Sequence, residues 1–258
     1  MGEARIVWVD YAKALGIFLV VLGHIALPGT LINVIYAFHM PLFFFISGYL
    51  FRMEKYESIK DFIVKRWHHL VVPYFLLNII VYVLWVTRLI ILTGSIDSYK
   101  MVTLPLFSII YGTAAIDGFL PHCVPMWFIA CLFTVELLFF IPLRNKALLS
   151  LLCLLLAFVD YKAGFYILPW GLNIALTAIG FYWLGNSFRR MDVLDWWNKT
   201  GIITRLAILL ILIVSFGISV YYNGRVDMGS RQYGNYILYL IGSVTGIFIF
   251  VSSCGSSH

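Results

Sequence analysis

The stretch KALGIFLVVLGH, residues 13–24, sets a lysine and a histidine at the two ends of an unbroken apolar run. Extended to residues 6–27, it reaches the length of about 20 residues that crosses a bilayer core. The rest of the chain repeats that grammar. Apolar runs at 32–51, 70–92, 124–142, 147–161, 166–187, 202–222 and 234–253 are separated by short polar loops. The pattern predicts an all-α, polytopic integral membrane helical bundle with about eight transmembrane helices, of which 147–161 is the shortest. The segment 101–119 is apolar but interrupted by Pro105 and Gly112, and reads as an interfacial or re-entrant piece. Composition agrees: 62% of the 258 residues are hydrophobic and 12% charged, where a soluble domain has roughly half and a quarter. No loop is long enough to hold a soluble domain, so residues 1–258 form a single membrane domain.

The net charge of +6 invites a nucleic-acid reading, but the basic residues fall in short loops between apolar runs. With the N-terminus cytoplasmic, Arg5, Arg52, Lys55, Lys60, Lys65, Arg66, Arg144, Lys146, Arg189, Arg190, Lys199 and Arg205 lie on the cytoplasmic side. Lys100, Lys162, Arg225, Arg231 and Arg88 belong to the other side. That imbalance predicts a cytoplasmic N-terminus and needs no nucleic-acid partner. The four cysteines, Cys123, Cys131, Cys153 and Cys254, lack paired or metal-ligand spacing and read as small core residues. No cleavable signal is expected, because the first run lacks a small-residue exit and leads into a second span. The last run ends in VSSCGSSH without a basic anchor, which suggests a C-terminally truncated chain.

At 100° per residue, the eleven steps from Lys13 to His24 leave an offset of only about 20°, with about 16 Å along the axis. The two side chains therefore share a face. Asp10 stands one turn before Lys13, where a carboxylate can neutralise the ammonium. Ionisable groups within a span normally face protein or a wet cavity, and they carry function by default. The plainer alternative has Lys13 snorkelling to the interface and His24 satisfied in a core. The next run, FHMPLFFFISGYLF (38–51), places His39 before Pro41, and the tight connection around Pro28 and Gly29 brings His24 and His39 toward the same outer end. Two histidines beside an apolar cavity suit a base and its partner. Ser47 and Gly48, deeper in that helix, read as close helix packing.

These stretches resemble the membrane acyltransferase-3 family. Lys13 and His24 are similar to its basic-residue-x10-His signature, and FHMPLFFFISGYLF to its second-helix motif. KRWHHLVVPYF (65–75) resembles the basic cluster and Pro-Tyr that open its third helix, and VPMWFIACLFTVELLF (124–139) its Trp-Phe…Glu helix. WGLNIALTAIGFYWLG and NGRVDMGSRQYGN resemble the branch related to fucose 4-O-acetylase. The resemblance covers essentially the whole chain. It departs at His69, where many relatives carry Arg or Lys, and at the C-terminus, where the family's last two spans are expected to be lacking.

The resemblance implies an integral-membrane O-acyltransferase of the plasma (bacterial inner) membrane. It would take an acyl group, usually acetyl, from cytoplasmic acyl-CoA and place it on a sugar hydroxyl of a surface or exported glycan. Acetyl-CoA is a co-substrate, and no tightly bound cofactor is expected. The partners would be acyl-CoA, a glycan or lipid-linked sugar acceptor, and membrane lipid. Acyl transfer needs a base for the alcohol proton and a group that stabilises the oxyanion. His24 is the expected base and His39 its partner or second acid. Lys13, steadied by Asp10, and Lys65 with Arg66 suit CoA phosphates; the alternative for the last two is topogenic charge. Glu136, midway along its helix, would orient a histidine, bond the acceptor, or tie two helices together. Asn173, Asn223, Asp227 and Asn235 are candidate sugar-hydroxyl ligands, with Trp127, Trp170 and Tyr233 as aromatic faces; ordinary turn chemistry is the alternative for the loop. No metal site is expected, since adjacent His68 and His69 diverge on a helix.

Two other functions compete. A transporter or flippase for a glycan or lipid intermediate would use Lys, Asp and His as a proton relay. It would carry paired broken helices in two matching halves, whereas a single broken segment is visible. A truncated scaffold without activity is the third.

Overall fold

The computed structural model describes residues 6–25, 27–94, 99–164 and 166–255. Among them the chain is helical, with no strand and one isolated antiparallel bridge, Asp227 to Gln232. The helices are α1 (Val7–Gly23), α2 (Gly29–Leu50), α3 (Ile59–Arg66), α4 (Val72–Thr93), α5 (Lys100–Tyr111), α6 (Trp127–Phe140), α7 (Lys146–Ala163), α8 (Leu172–Arg190), α9 (Val193–Lys199), α10 (Ile202–Asn223) and α11 (Tyr236–Gly255). Among the described residues, four helical stretches are long and apolar enough to cross a membrane: Gly29–Leu50, Ile59–Thr93, Ile202–Asn223 and Tyr236–Cys254. The expected first run is a helix of 17 residues, and His24 caps its C-terminal end. Arg5 and His258 lie outside the described residues.

The chain divides into two compact units. The first comprises residues 1–51, 180–228 and 232–258. Here α2 is central, because its sequence is apolar on every side, as a helix enclosed by neighbours must be. Leu42, Phe44, Phe45 and Ile46 are almost fully buried, with α1, α10 and α11 packed against α2. Two glycines set the closest approach. A Cβ at Gly48 would stand 1.9 Å from the Tyr182 carbonyl oxygen, and one at Gly185 would stand 1.9 Å from that of Phe45. The C-terminal carbonyls of α2 are then met by side chains of α8. Asn186 donates to Gly48 O and Phe51 O, each at 3.2 Å, and Arg189 donates to Tyr49 O and Phe51 O. Gly48 O also accepts from the Phe51 N–H at 3.2 Å, and the polar clamp supplies donors that the last carbonyls of a helix lack within it.

The second unit holds residues 52–179 and 229–231. The third expected helix opens earlier than residue 70, as part of one continuous helical stretch from Ile59. The reason is local. Pro73 has no N–H and its ring collides with the carbonyl one turn back. The chain absorbs this in a π-helical turn, Trp67–Val71, where the Val72 N–H reaches Trp67 O. Such single π turns are frequent at functional sites. Segment 101–119 also differs in detail. Pro105 sits inside α5 without ending it, and the helix stops at Gly112, whose φ of 67° suits glycine. The helix expected from residue 166 begins at Leu172, because Pro169 and Trp170, with a φ of 56°, hold the chain out of helical geometry.

The outer faces of α4 and α10 are apolar and uncovered. Leu76, Ile79, Ile80, Val83, Leu84 and Ile91 on α4 are exposed, as are Ile203, Leu206, Leu210 and Ile211 on α10. Apolar surface of that extent suits lipid contact, and helices satisfy their backbone groups internally in such a medium.

Candidate active site

In the first unit, His39 is buried in α2, and its Nδ1 lies 2.8 Å from Ile35 O one turn back. A carbonyl oxygen can only accept, so Nδ1 carries the proton and donates. The neutral ring therefore holds its lone pair on Nε2, the tautomer a base requires. Tyr36 meets the His39 ring edge-on at 5.0 Å between centroids. The Arg225 guanidinium lies 4.9 Å from the Tyr36 ring centre, within the range of a cation–π contact. Asp227 and His24 are both within electrostatic reach of His39. Asp227 is partly buried, and its backbone pairs both ways with Gln232 at 2.8 Å. The tight α1–α2 connection thus brings His24 and His39 into one neighbourhood. His24 itself is exposed. Lys13 and Asp10 are partly buried on the N-terminal half of α1.

In the second unit, Arg66 ends α3 immediately before the π turn, and its Nε stands 2.9 Å from Glu136 Oε2. The two form an ion pair in which Glu136 is almost fully buried. The contact links α6 to α3. Tyr56 covers the cluster, with the Lys65 and Arg66 cations 5.6 and 5.7 Å from its ring centre. Burial raises the Tyr56 phenol above its usual value, while the Arg66 charge pulls it the other way. Lys65 is exposed and paired with Asp61 at 2.8 Å, an i,i+4 contact. Solvent screening leaves such a pair worth little.

The asparagines are engaged within the chain. Asn173 accepts from Leu168 N at 2.6 Å and donates to Asp160 Oδ1 at 2.8 Å and to Tyr166 O at 3.3 Å. Asp160 also pairs with Arg231. Asn223 donates to Tyr233 O and Asn235 O and accepts from Asn235 N. Asn235 accepts from Ile237 N and Leu238 N, capping α11. Of the expected aromatic faces, Trp127 and Tyr233 are buried. Trp170 packs against Tyr74, Phe75 and Phe133. These residues take part in turns and packing within their own units.

Sequence reasoning missed Tyr36 and Arg225 beside His39. Tyr36 stands at i−3 from His39, a spacing that puts both on one helix face. Arg225 had been counted only as topogenic charge. His122 was also overlooked. Its Nε2 lies 3.2 Å from Oδ1 of the buried Asn78, whose amide nitrogen donates to Tyr74 O. Oδ1 therefore accepts, and Nε2 carries the proton. Burial pushes the imidazole below its usual value. An unfolded histidine titrates near 6.5, so the proton binds more weakly to the folded state. The stabilisation is complete above about 6.5 and is lost as pH falls from there toward the lower folded value. Melting temperatures of the wild type should drop over that window, and His122→Phe should flatten the drop. An unchanged slope in the variant would remove His122 as its source.

An all-α chain whose described residues include four membrane-length apolar helices with lipid-suited outer faces belongs to the class of integral membrane proteins. More particularly, it belongs to the acyltransferase-3 family: the family's acyltransferase domain matches residues 6–258. That membership makes it a membrane acyltransferase. Neither the curated proteins nor the solved structures hold a match to the chain. Among the described residues, no cluster of three or more His, Cys, Asp or Glu is placed to hold a metal ion.

Proposed function

We propose that the chain is an O-acyltransferase that moves an acetyl group from cytoplasmic acyl-CoA to a sugar hydroxyl of a surface or exported glycan. Its setting is the plasma (bacterial inner) membrane, with about eight spans and a cytoplasmic N-terminus. The observation that carries this reading is His39, buried, with Nδ1 committed to Ile35 O and the lone pair left on Nε2. Nε2 takes the proton of the acceptor hydroxyl as its oxygen attacks the thioester carbonyl carbon. The tetrahedral intermediate then collapses, the C–S bond breaks, and the imidazolium returns the proton to the thiolate. The products are the sugar ester and free CoA thiol. Asp227 favours the imidazolium that forms between the two steps. His24, exposed at the same end, is a second acid or a contact for the acceptor rather than the base. Lys65, Arg66 and Lys13, the last steadied by Asp10, supply positive charge for CoA phosphates. Glu136 holds Arg66 in place. The sugar acceptor follows from the resemblance to the fucose 4-O-acetylase branch.

The test is transfer itself. Membranes carrying the chain are given acetyl-labelled CoA and a surface glycan. Label should enter the glycan and be released by mild alkali, as an ester is and an amide is not. No alkali-labile label above control membranes, with the protein folded, would overturn the proposal and favour glycan transport.

A further inference from the structure

Attack on a thioester leaves a negative charge on its carbonyl oxygen, and a donor must be aimed at that oxygen. Tyr36 stands one turn before His39 on the same face of α2, and the two rings meet edge-on at 5.0 Å between centroids. A base nitrogen and an oxyanion donor that serve one carbonyl stand roughly 5–8 Å apart, a span this contact allows. The part-buried Tyr36 hydroxyl donates to Gly23 O at 3.4 Å. O–H···O bonds are usually about 2.7–2.8 Å long, so the hydroxyl is held weakly and can turn to a stronger acceptor. The Arg225 guanidinium stands over the ring, 4.9 Å from its centre. A cation there draws electron density from the ring and strengthens the O–H as a donor. A tyrosine hydroxyl keeps its proton at neutral pH, and the Asp227 carboxylate, within electrostatic reach, opposes a phenolate. The hydroxyl can therefore lend its proton without giving it up. All of these residues belong to the first unit.

We infer that the Tyr36 hydroxyl is the oxyanion donor of the acyl transfer. The inference rests on the acyl-transfer reading with His39 as base. As the acceptor oxygen attacks, the carbonyl double bond opens and its oxygen becomes anionic. The Tyr36 O–H turns from Gly23 O to that oxygen. When the C–S bond breaks, the double bond re-forms and the hydroxyl returns to Gly23 O, its proton never transferred.

Tyr36→Phe is the first test, because it keeps the ring against His39 and beneath Arg225 and removes the hydroxyl alone. Acetyl transfer should show kcat lower by about 10²- to 10³-fold, the loss typical of one oxyanion donor. KM for acetyl-CoA should stay within a few-fold. Mono- and difluorotyrosine placed at position 36 are the second test. Both keep the hydroxyl, and with it any cap on α1, but make it a stronger donor. Read at a pH where the phenol stays protonated, kcat should rise stepwise with fluorination, by a few-fold in all. Wild-type kcat in Tyr36→Phe would overturn the inference and leave acyl transfer standing. So would a kcat indifferent to fluorination, which identifies a hydroxyl that only caps α1, and this reading holds even if Tyr36→Phe unfolds. No transfer by the wild type would overturn both.

Discussion

Gly48→Ala and Gly185→Ala should each prevent the first unit from folding as observed, at a cost of about 3 kcal/mol or more. The expectation rests on what the new methyl would meet. At both positions the nearest atom is a backbone carbonyl oxygen at 1.9 Å, belonging to Tyr182 and Phe45 respectively. A side chain could swing aside, but a helix backbone moves only as a body. The two helices must then separate by more than an ångström, and the separation breaks other contacts. Asn186 would lose Gly48 O and Phe51 O, and a buried carbonyl stripped of its donor costs about 1–3 kcal/mol. Gly217→Ala on α10 is the control. Nothing lies within 4 Å of a Cβ there, so alanine should be neutral or stabilise by up to about 1 kcal/mol through helix propensity. Thermal unfolding in detergent checks the contrast. A melting temperature for Gly48→Ala within a degree or two of wild type would show that the helices have room to part.

That contact shows where the sequence was informative. Ser47 and Gly48 read as close helix packing from residue size alone, and the backbone approach at Gly48 bears this out. What could not be read was the partner, since Gly185 lies 137 positions away and only the fold pairs them. Apolar runs located most of the helices because hydropathy is a local property. The π turn at Trp67–Val71 was not legible, because Pro73 alone is compatible with a kink, a break or a bulge. The short helices α3 and α9 escaped for a related reason: each is too short and too polar to register as a span.

The candidate site divides in the same way. The resemblance supplied the residue types, and spacing supplied which of them share a face. Neither could say whether a polar side chain is already satisfied. Asn173 and Asn223 have the chemistry of sugar ligands, yet their amides and carbonyls are engaged by backbone and by Asp160, and Asn235 Oδ1 accepts from Ile237 N and Leu238 N. Glu136 had three open roles, and spacing alone gave no sign of the Arg66 guanidinium 2.9 Å from its carboxylate. Conversely, the edge-on contact of Tyr36 with His39 needed no tertiary information beyond an i,i+3 step.

His39→Ala should lower kcat for acetyl transfer by about 10²- to 10⁴-fold, the range lost with a positioned general base. The fold should tolerate the change, because Ile35 O lies inside α2, where the helix supplies its own donors. His24→Ala should cost far less, since His24 is exposed at the end of α1, where water can replace its hydrogen bonds. The two variants therefore separate the base from its neighbour in a way the sequence could not, because both histidines fit the same spacing argument. The Michaelis constant for acetyl-CoA should stay within a few-fold in His39→Ala, as a base acts on the acceptor proton and leaves donor binding intact. The reverse pattern, with His24→Ala inactive and His39→Ala near wild type, would return the base to α1. It would leave the buried imidazole, with its hydrogen bond to Ile35 O and its edge-on contact with Tyr36, as a structural element of α2.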